Sequence, residues 1–467
     1  MLRNFYRARW AAVTSAAAVA AIIAGCDWKS TLLEPQNPGL IDESAVSSQA
    51  AALALKIGAL GRFKLLNNCG SGECLWEETG HLADEFKNSD FQPDRQSIDQ
   101  RQITTSNTIL NYNTVTQIRG YIRTALAKMN EFSPNSTADI AELWMALGFT
   151  EMNMAEAYCN GIPLGVMKTD VVDYSDPSFK PLTNQEVYGV ALAHVDSALT
   201  ILGAAADAAS TDVRRASTII KARILVDQGQ FAAAAALVPV GTITSIYQYM
   251  WTTQSSSNAD DNGIWTINNN VARMTVSDSF DIIGGQKNQI LNALPFASAN
   301  DPRIPVILNT GSPAEDGTTP LYVQRIWIGR DDPIPLVSGI DARLIEAEAR
   351  LNASDIPGMM TILNALRATP PKIGNFQPVA MAVLPAPASQ AEAVTLFFRE
   401  KGFWTFGRGQ RLGDLRRLIR QYSRTENVVF PKGNYFKGGT YGNDVNFPVP
   451  DLELPNPQFQ GCIDRNA

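Results

Sequence analysis

The sequence predicts an all-α fold of tetratricopeptide-like helical hairpins, because two distant stretches carry the same helix–break–helix pattern. In residues 215–238, apolar side chains recur at intervals of three and four residues, beginning at Ile219. Gly229 ends this helix, and a second apolar period begins immediately after it. Residues 339–367 repeat this pattern in register, with their break at 354–355. Small residues at each helix crossing allow two antiparallel helices to approach closely, so both stretches are predicted to be hairpins.

Further helices are predicted on both sides of the first hairpin. Residues 44–66, 107–132 and 137–158 each lack an interior proline and carry long apolar runs. Thr183 and Glu186 have the spacing of a capping box at the start of another helix. The hairpins are not tandem in the sequence, whereas a solenoid would repeat at about 34 residues.

An irregular lobe is predicted between the two hairpins. Residues 241–335 are rich in Ser, Thr, Asn, Asp, Gly and Pro, and they lose the helical period. Residues 426–467 also lack a clear helix and are grouped with the lobe. The helical scaffold is then predicted to span about 40–240 and 336–425. Long irregular segments of this kind carry function or wrap a scaffold.

The amino terminus has the features of an export signal. A positively charged start precedes the apolar run 11–23, which is too short to cross a bilayer comfortably. The run ends in Ile-Ala-Gly-Cys at Cys26, which resembles the lipobox of bacterial lipoproteins. Residues 1–25 are therefore predicted to be a lipoprotein signal peptide, and 26–467 the mature chain, attached to the membrane through acyl chains such as palmitate on Cys26.

Two alternatives at the amino terminus stay open. An ordinary signal peptidase cut near Ala24 would leave a chain without an anchor. Asp27 leaves the membrane leaflet undecided, because an acidic residue after the lipid cysteine causes retention in some bacterial groups only. The formal net charge of −7, without a basic stripe, argues against nucleic acid as a partner.

Four cysteines remain after Cys26, and an even number in an oxidising compartment suggests disulfides. Cys69 and Cys74 enclose a short loop that closes easily, which leaves Cys159 for Cys462 near the carboxyl terminus. This is the favoured connectivity among three. The alternative is that some of the thiols are free and buried.

Several short strings resemble those of the SusD/RagB family of outer-membrane nutrient-binding lipoproteins, in that family's order. The strings are LADE at 82–85, YCNGIPL at 158–164, DPR at 301–303, the hairpin at 343–367, GQRLGDLRR at 409–417, and PVP with NP between 448 and 457. Each string is weak alone, but together they extend from Cys26 to the last residues.

This chain departs from the family pattern at a few positions. Arg408 stands where a glutamate is expected, Arg399-Glu400 replaces a pair of acidic residues, and Cys159 is an extra cysteine. These changes affect which ion pairs hold the scaffold. Arg411 and Asp414, three residues apart, are predicted to form one such structural pair.

The resemblance implies a SusD-like fold at the outer surface of the cell. It implies a glycan or related oligomer as ligand, and a TonB-dependent, SusC-like β-barrel transporter as partner. The scaffold would face the barrel and the lobe would face the ligand. No cofactor is implied.

The search for catalytic motifs finds nothing that indicates an enzyme, a catalytic residue or a metal site. The only histidines, His81 and His194, are far apart, and no zinc-protease helix, phosphate loop or nucleophile elbow occurs. Residues 258–263 imitate the start of a calcium loop, but Asn269 stands where the bidentate glutamate belongs. Carboxylates are abundant, so a glycan-cleaving hydrolase remains an alternative.

Aromatic side chains in loops are the candidate ligand contacts, because sugar rings stack on indole rings while Asn, Asp, Gln and Arg bind hydroxyl groups. The predicted platform joins the early loop around Trp76 to the lobe around Trp265 and Trp327. The complete set of predicted ligand residues is Trp76, Asn88, Asp90, Trp265, Asn268, Gln324, Trp327 and Arg330.

Two other interpretations of these residues stay open. The tryptophans can equally hold the lobe on the scaffold without contacting any ligand. The protein can also bind peptides, or serve as a structural envelope protein without an exposed aromatic surface.

Overall fold

Helices are the main regular secondary structure in the computed structural model, which describes residues 46–68, 73–165, 172–251 and 261–467. Cys26, Cys69 and the predicted signal peptide lie outside these ranges. The helices are α1 Gln49–Phe63, α2 Leu75–Leu82, α3 Pro93–Asp99, α4 Tyr112–Phe132, α5 Thr137–Ala157, α6 Asn184–Leu202, α7 Ala208–Asp227, α8 Phe231–Leu237, α9 Gly339–Asn352, α10 Ile356–Ala368, α11 Gln390–Thr405 and α12 Arg411–Arg420. The all-α prediction is confirmed.

The two repeated stretches are hairpins, as the sequence predicts. Helices α7 and α8 pack on each other, and so do α9 and α10. Gly229 at the first break has φ +78°, and Ser354 at the second has φ +59°, so both breaks use the left-handed backbone region. The predicted capping box between Thr183 and Glu186 is also present at the start of α6.

The hairpins that are separated in sequence are neighbours in space. Helix α8 packs against α9, and Arg343 on α9 donates to the backbone oxygen of Val238 just after α8. Strands β4 (Gln248–Trp251) and β10 (Ile334–Ser338) pair antiparallel and join the two ends of the intervening segment. The tetratricopeptide-like packing therefore continues across the insertion.

The remaining strands are short and form two-stranded pieces within the described residues. They are β1 Phe86–Asn88, β2 Ile162–Pro163, β3 Pro181–Leu182, β5 Met274–Val276, β6 Phe280–Ile283, β7 Gln286–Gln289, β8 Val306–Leu308 and β9 Tyr322–Gln324. The pairs are β1 with β5, β2 with β3, β6 with β7, and β8 with β9, all antiparallel. A π-helix at Trp265–Asn270 precedes β5.

A disulfide fastens the carboxyl-terminal segment to the scaffold. Cys159, just after α5, is bridged to Cys462, the pairing favoured from the sequence. Backbone bonds from Cys159 to Phe447 and from Ile463 to Asn160 reinforce this attachment. Cys74 is also disulfide-bonded, while its predicted partner Cys69 lies outside the described residues.

Buried ion pairs link the helices, but the predicted pair between Arg411 and Asp414 is wrong. Arg411 makes a bidentate contact with Asp84 at 2.7 and 2.9 Å. Asp414 instead accepts bonds from Lys401 and Arg417. Although Arg411 and Asp414 are close in sequence, Arg411 pairs with a residue outside α12, and Asp414 pairs with Arg417 of α12 and with Lys401 of α11.

Arg408, which replaces the glutamate of the family pattern, is balanced by a carboxylate. Its guanidinium contacts Asp341, and both side chains are almost fully buried. Asp341 also caps the amino terminus of α9. Burial opposes ionisation, but the adjacent Arg408 and the more distant Arg223 lower the pKa of Asp341 below its ordinary value.

Helix α2 was not predicted from the sequence. All eight of its residues are buried although four of them, Glu77, Glu78, Thr79 and His81, are polar, and residues of these types are usually exposed. Trp76 consequently lies in a helix and not in the loop that was predicted. None of the helices in the described ranges has the length and hydropathy of a membrane span.

Candidate functional site

The early part of the chain and the lobe meet at the β1–β5 pair. Phe86 lies opposite Val276, and Asn88 lies opposite Met274. The backbone contact continues past the strands, where the Ser89 amide donates to the Arg273 oxygen at 3.0 Å. Two regions almost two hundred residues apart in sequence therefore form one surface.

The carboxyl-terminal segment adds a third part to this surface. The Lys437 ammonium donates to the backbone oxygen of Asp90 at 2.7 Å and contacts a carboxylate oxygen of Asp316 at 2.9 Å. The Tyr435 hydroxyl donates to Asp99 at 2.8 Å. We call this surface the junction and define it as residues 88–92, 272–276, 314–319 and 434–440.

Phe91 is the exposed aromatic ring of the junction, with 75% of its surface accessible. Two side chains fix the turn that carries it. The Asp90 amide donates to the Asn88 side chain at 3.2 Å, and the Gln92 amide donates to the Asp90 carboxylate at 2.9 Å. Such turns give a well-defined backbone, and Pro93 then begins α3. A large apolar ring is thus held in solvent by an ordered turn.

Arg95 supports this turn from below. Its buried guanidinium contacts the carboxylates of Asp90 and Glu73. A longer contact of 3.4 Å joins its Nε to Glu77, which also contacts His81 at 2.7 Å. Burial opposes ionisation of Glu77, but His81 and Arg95 lower the pKa of Glu77 below its ordinary value.

Trp76 and Trp327 are structural, which corrects the prediction that they form a ligand platform. Trp76 is 1% exposed, donates to the Asn153 side chain at 3.1 Å, and packs on Trp251 with ring centres 4.8 Å apart. Trp327 is completely buried. The Cβ of an alanine at position 407 would lie 3.0 Å from the Trp327 ring. In this structure neither indole is open to a ligand.

The predicted polar contacts Asn88, Asn268 and Gln324 are also buried, which corrects their prediction as ligand contacts. The Asn268 amide donates to the backbone oxygens of Met274 and Tyr322, at 2.9 and 3.0 Å. The Gln324 oxygen accepts the backbone amides of residues 326 and 327. These side chains satisfy the irregular backbone of the lobe, and Asn88 holds the turn described above.

Trp265 and Arg330 keep part of their surface accessible. Trp265 begins the π-helix, and its backbone amide donates to the Asn262 side chain at 2.9 Å. Arg330 contacts both oxygens of Asp261, at 2.9 and 3.1 Å. Asp90 lies in the junction but is 6% exposed and contacts Arg95, which corrects its prediction as a ligand contact. Trp265 and Arg330 stay predictions.

Three further aromatic side chains near these segments are buried as well. Trp251, Tyr435 and Tyr441 are all less than a tenth exposed. Sequence reasoning missed Phe91, although an aromatic residue between turn-forming residues and Pro93 is a usable signal. Within the described ranges no group of three His, Cys, Asp or Glu side chains is arranged to hold a metal ion.

The fold has counterparts among solved structures. A SusD superfamily protein from Bacteroides thetaiotaomicron is 16% identical, with a TM-score of 0.60 over 90% of this chain and 100% of that one. A SusD-like protein from Bacteroides fragilis is 11% identical, with a TM-score of 0.60 over 91% and 98%.

The chain has a SusD-like fold.

A third protein of this fold is described as a laminarin-binding SusD-like protein. It is 14% identical, with a TM-score of 0.59 over 89% of this chain and 99% of that one. No protein-family model and no curated protein matches the chain. Because the identities are low, the structural similarity establishes the fold alone. The resemblance predicted from the sequence is confirmed for the fold.

Proposed function

We propose that this chain is a glycan-binding protein of the SusD/RagB type and that the junction is its ligand site. The observation that carries the proposal is Phe91, a ring 75% exposed and held by an ordered turn where three segments meet. Single exposed apolar side chains are common on protein surfaces, so the proposal rests on the position of Phe91 in the junction and on the turn that orders it. Sugar rings present C–H faces that stack on such a ring.

Polar groups of the junction suit the hydroxyl groups of a sugar. Gln92 is half-exposed, and Asn434 and Thr318 are exposed at the rim of the junction. Their amides and hydroxyl both donate and accept hydrogen bonds, as sugar hydroxyls do. The laminarin-binding protein of the same fold supports a glycan as the ligand class.

The lipobox-like sequence and the fold support the rest of the proposal. The mature chain would be attached through Cys26 to the outer membrane, face the cell exterior, and deliver its glycan to a TonB-dependent, SusC-like transporter. Replacing Cys26 by Ala should abolish incorporation of a palmitate analogue and release a folded, soluble protein. Incorporation that survives in the variant would contradict the anchor.

Affinity electrophoresis against a polysaccharide panel, with product release scored in parallel, tests the proposed function. We expect retention by at least one glycan and no shortening of the polymer. Retention with product release would favour the hydrolase alternative. A folded protein that no member of the panel retains would favour a structural or peptide-binding role.

A further inference from the structure

The cations at the surface of the junction are engaged by carboxylates. The Arg273 Nε contacts Glu315 at 2.7 Å. The Lys437 ammonium contacts Asp316 at 2.9 Å and also donates to a backbone oxygen. A ligand carboxylate or sulfate would have to displace these partners before it could use either charge.

The partner of Lys437 stays ionised throughout the useful pH range. Burial opposes this, but the Thr319 hydroxyl and amide, together with Lys437, lower the pKa of Asp316 to about 2. The Thr319 hydroxyl donates to one oxygen of Asp316, and two backbone amides donate to the other. Protonation of Asp316 therefore does not release Lys437 at neutral pH.

The cations beneath the surface are neutralised in the same way. Arg95 contacts Asp90 and Glu73, and Lys87 contacts Asp281. Within the described residues of the junction and the layer below it, every lysine and arginine named here has a carboxylate partner. These pairs leave no excess of positive charge among the residues named.

From this arrangement we infer that the ligand of the junction is an uncharged oligosaccharide, and that uronate-rich and sulfated glycans are disfavoured. The inference rests on the proposed function. Phe91 supplies stacking, and neutral amides and hydroxyls supply hydrogen bonds, neither of which needs a charged ligand.

Long-range electrostatics act in the same direction. The chain carries a formal net charge of −7, and residues 1–25 contain Arg3, Arg7 and Arg9 but no acidic residue. Removal of that segment changes the charge by −3, from −7 to −10. A polyanionic glycan is repelled by such a chain at low ionic strength, and salt weakens this repulsion.

Matched neutral and charged glycans test the inference on the full mature chain. Laminarin is compared with chemically sulfated laminarin, and a neutral galactan with its sulfated form, at about 20 and about 500 mM NaCl, which correspond to long and short screening lengths. We expect a neutral member to bind at least about tenfold more tightly than its sulfated form, with an affinity that salt does not change.

The Glu315→Gln variant sharpens the test because it removes one negative charge beside Arg273. At low salt the variant is expected to bind the sulfated forms more tightly than the wild type does, because Arg273 loses this carboxylate. The inference is overturned if the wild type binds the sulfated forms more tightly than the neutral forms, or if the variant disfavours the sulfated forms as strongly as the wild type does. Charged-only binding would leave the proposed function intact, whereas a folded protein that binds neither these four glycans nor any other member of the panel would remove both.

Discussion

Trp76 shows how burial decides the role of a single side chain. Its ring lies against Trp251 and Phe149, and its nitrogen donates to Asn153. It therefore joins α2, α5 and the start of the lobe. Trp265 has no such enclosure and keeps part of its surface in solvent.

Replacing Trp76 by Ala should lower the free energy of unfolding by roughly 3–5 kcal/mol, as expected for a large buried aromatic residue. Trp265→Ala is the matched control and should cost clearly less, because less of its surface is buried. Urea unfolding of both variants gives the comparison. Equal losses of unfolding free energy in the two variants would contradict the structural role assigned to Trp76.

Glu85 is a second residue whose environment has a measurable consequence. Burial raises its pKa to about 8, although the Gly407 amide donates to one oxygen at 3.0 Å. Its second oxygen is buried and has no hydrogen-bond partner. A protonated carboxyl group suits this position better than a carboxylate.

The stability that Glu85 contributes should therefore depend on pH. The pKa is higher in the folded state than in the unfolded state, so the contribution is complete below about pH 4.5 and is lost as the pH rises towards about 8. At 1.36 kcal/mol per pKa unit, the loss is at most about 5 kcal/mol. The Glu85→Gln side chain stays uncharged at every pH. The free energy of unfolding should therefore fall less between pH 5 and pH 8.5, about the ends of that window, in this variant than in the wild type. Parallel declines would contradict the assignment.

Among the elements, the turn before α12 illustrates close packing against α2. Gly409 has φ +67°, and a Cβ there would lie 2.4 Å from Cδ1 of Trp76. A side chain is excluded by both the backbone and the indole. The early helix and the late helices thus depend on one glycine.

Gly409→Ala should destabilise the fold by roughly 2–4 kcal/mol, from left-handed backbone strain plus overpacking. Gly229→Ala provides the control, because Gly229 has φ +78° but no neighbouring atom within 4 Å. It should cost only about 1 kcal/mol. Thermal unfolding that ranks the two variants equally would contradict the proposed clash.

The helical hairpins were predictable because their apolar period and their breaks at Gly229 and 354–355 are local signals. Helix α2 was not predictable, since it is short and buries polar side chains such as Glu77 and Glu78, which are usually exposed. Burial was equally hard to predict for the proposed ligand residues. Sequence marks Trp76, Trp327 and Gln324 as unusual but does not say whether they face solvent or the core.

At the scale of the whole molecule, three segments distant in sequence build the junction. No local sequence pattern predicts that Asn88 pairs with Met274, or that Lys437 contacts Asp90 and Asp316. The general region where the early loop meets the lobe was predicted, whereas the exposed ring within it was not. Long-range pairing of this kind is fixed by the complete fold.

Titration calorimetry with a retained oligosaccharide tests the central claim most directly. Phe91→Ala should weaken binding by roughly tenfold, about 1.4 kcal/mol, without lowering the melting temperature, because the ring is 75% exposed. Phe91→Trp should restore the affinity. Ile246→Ala, at an equally exposed position outside the junction, should bind as the wild type does. Wild-type affinity in Phe91→Ala would contradict the account.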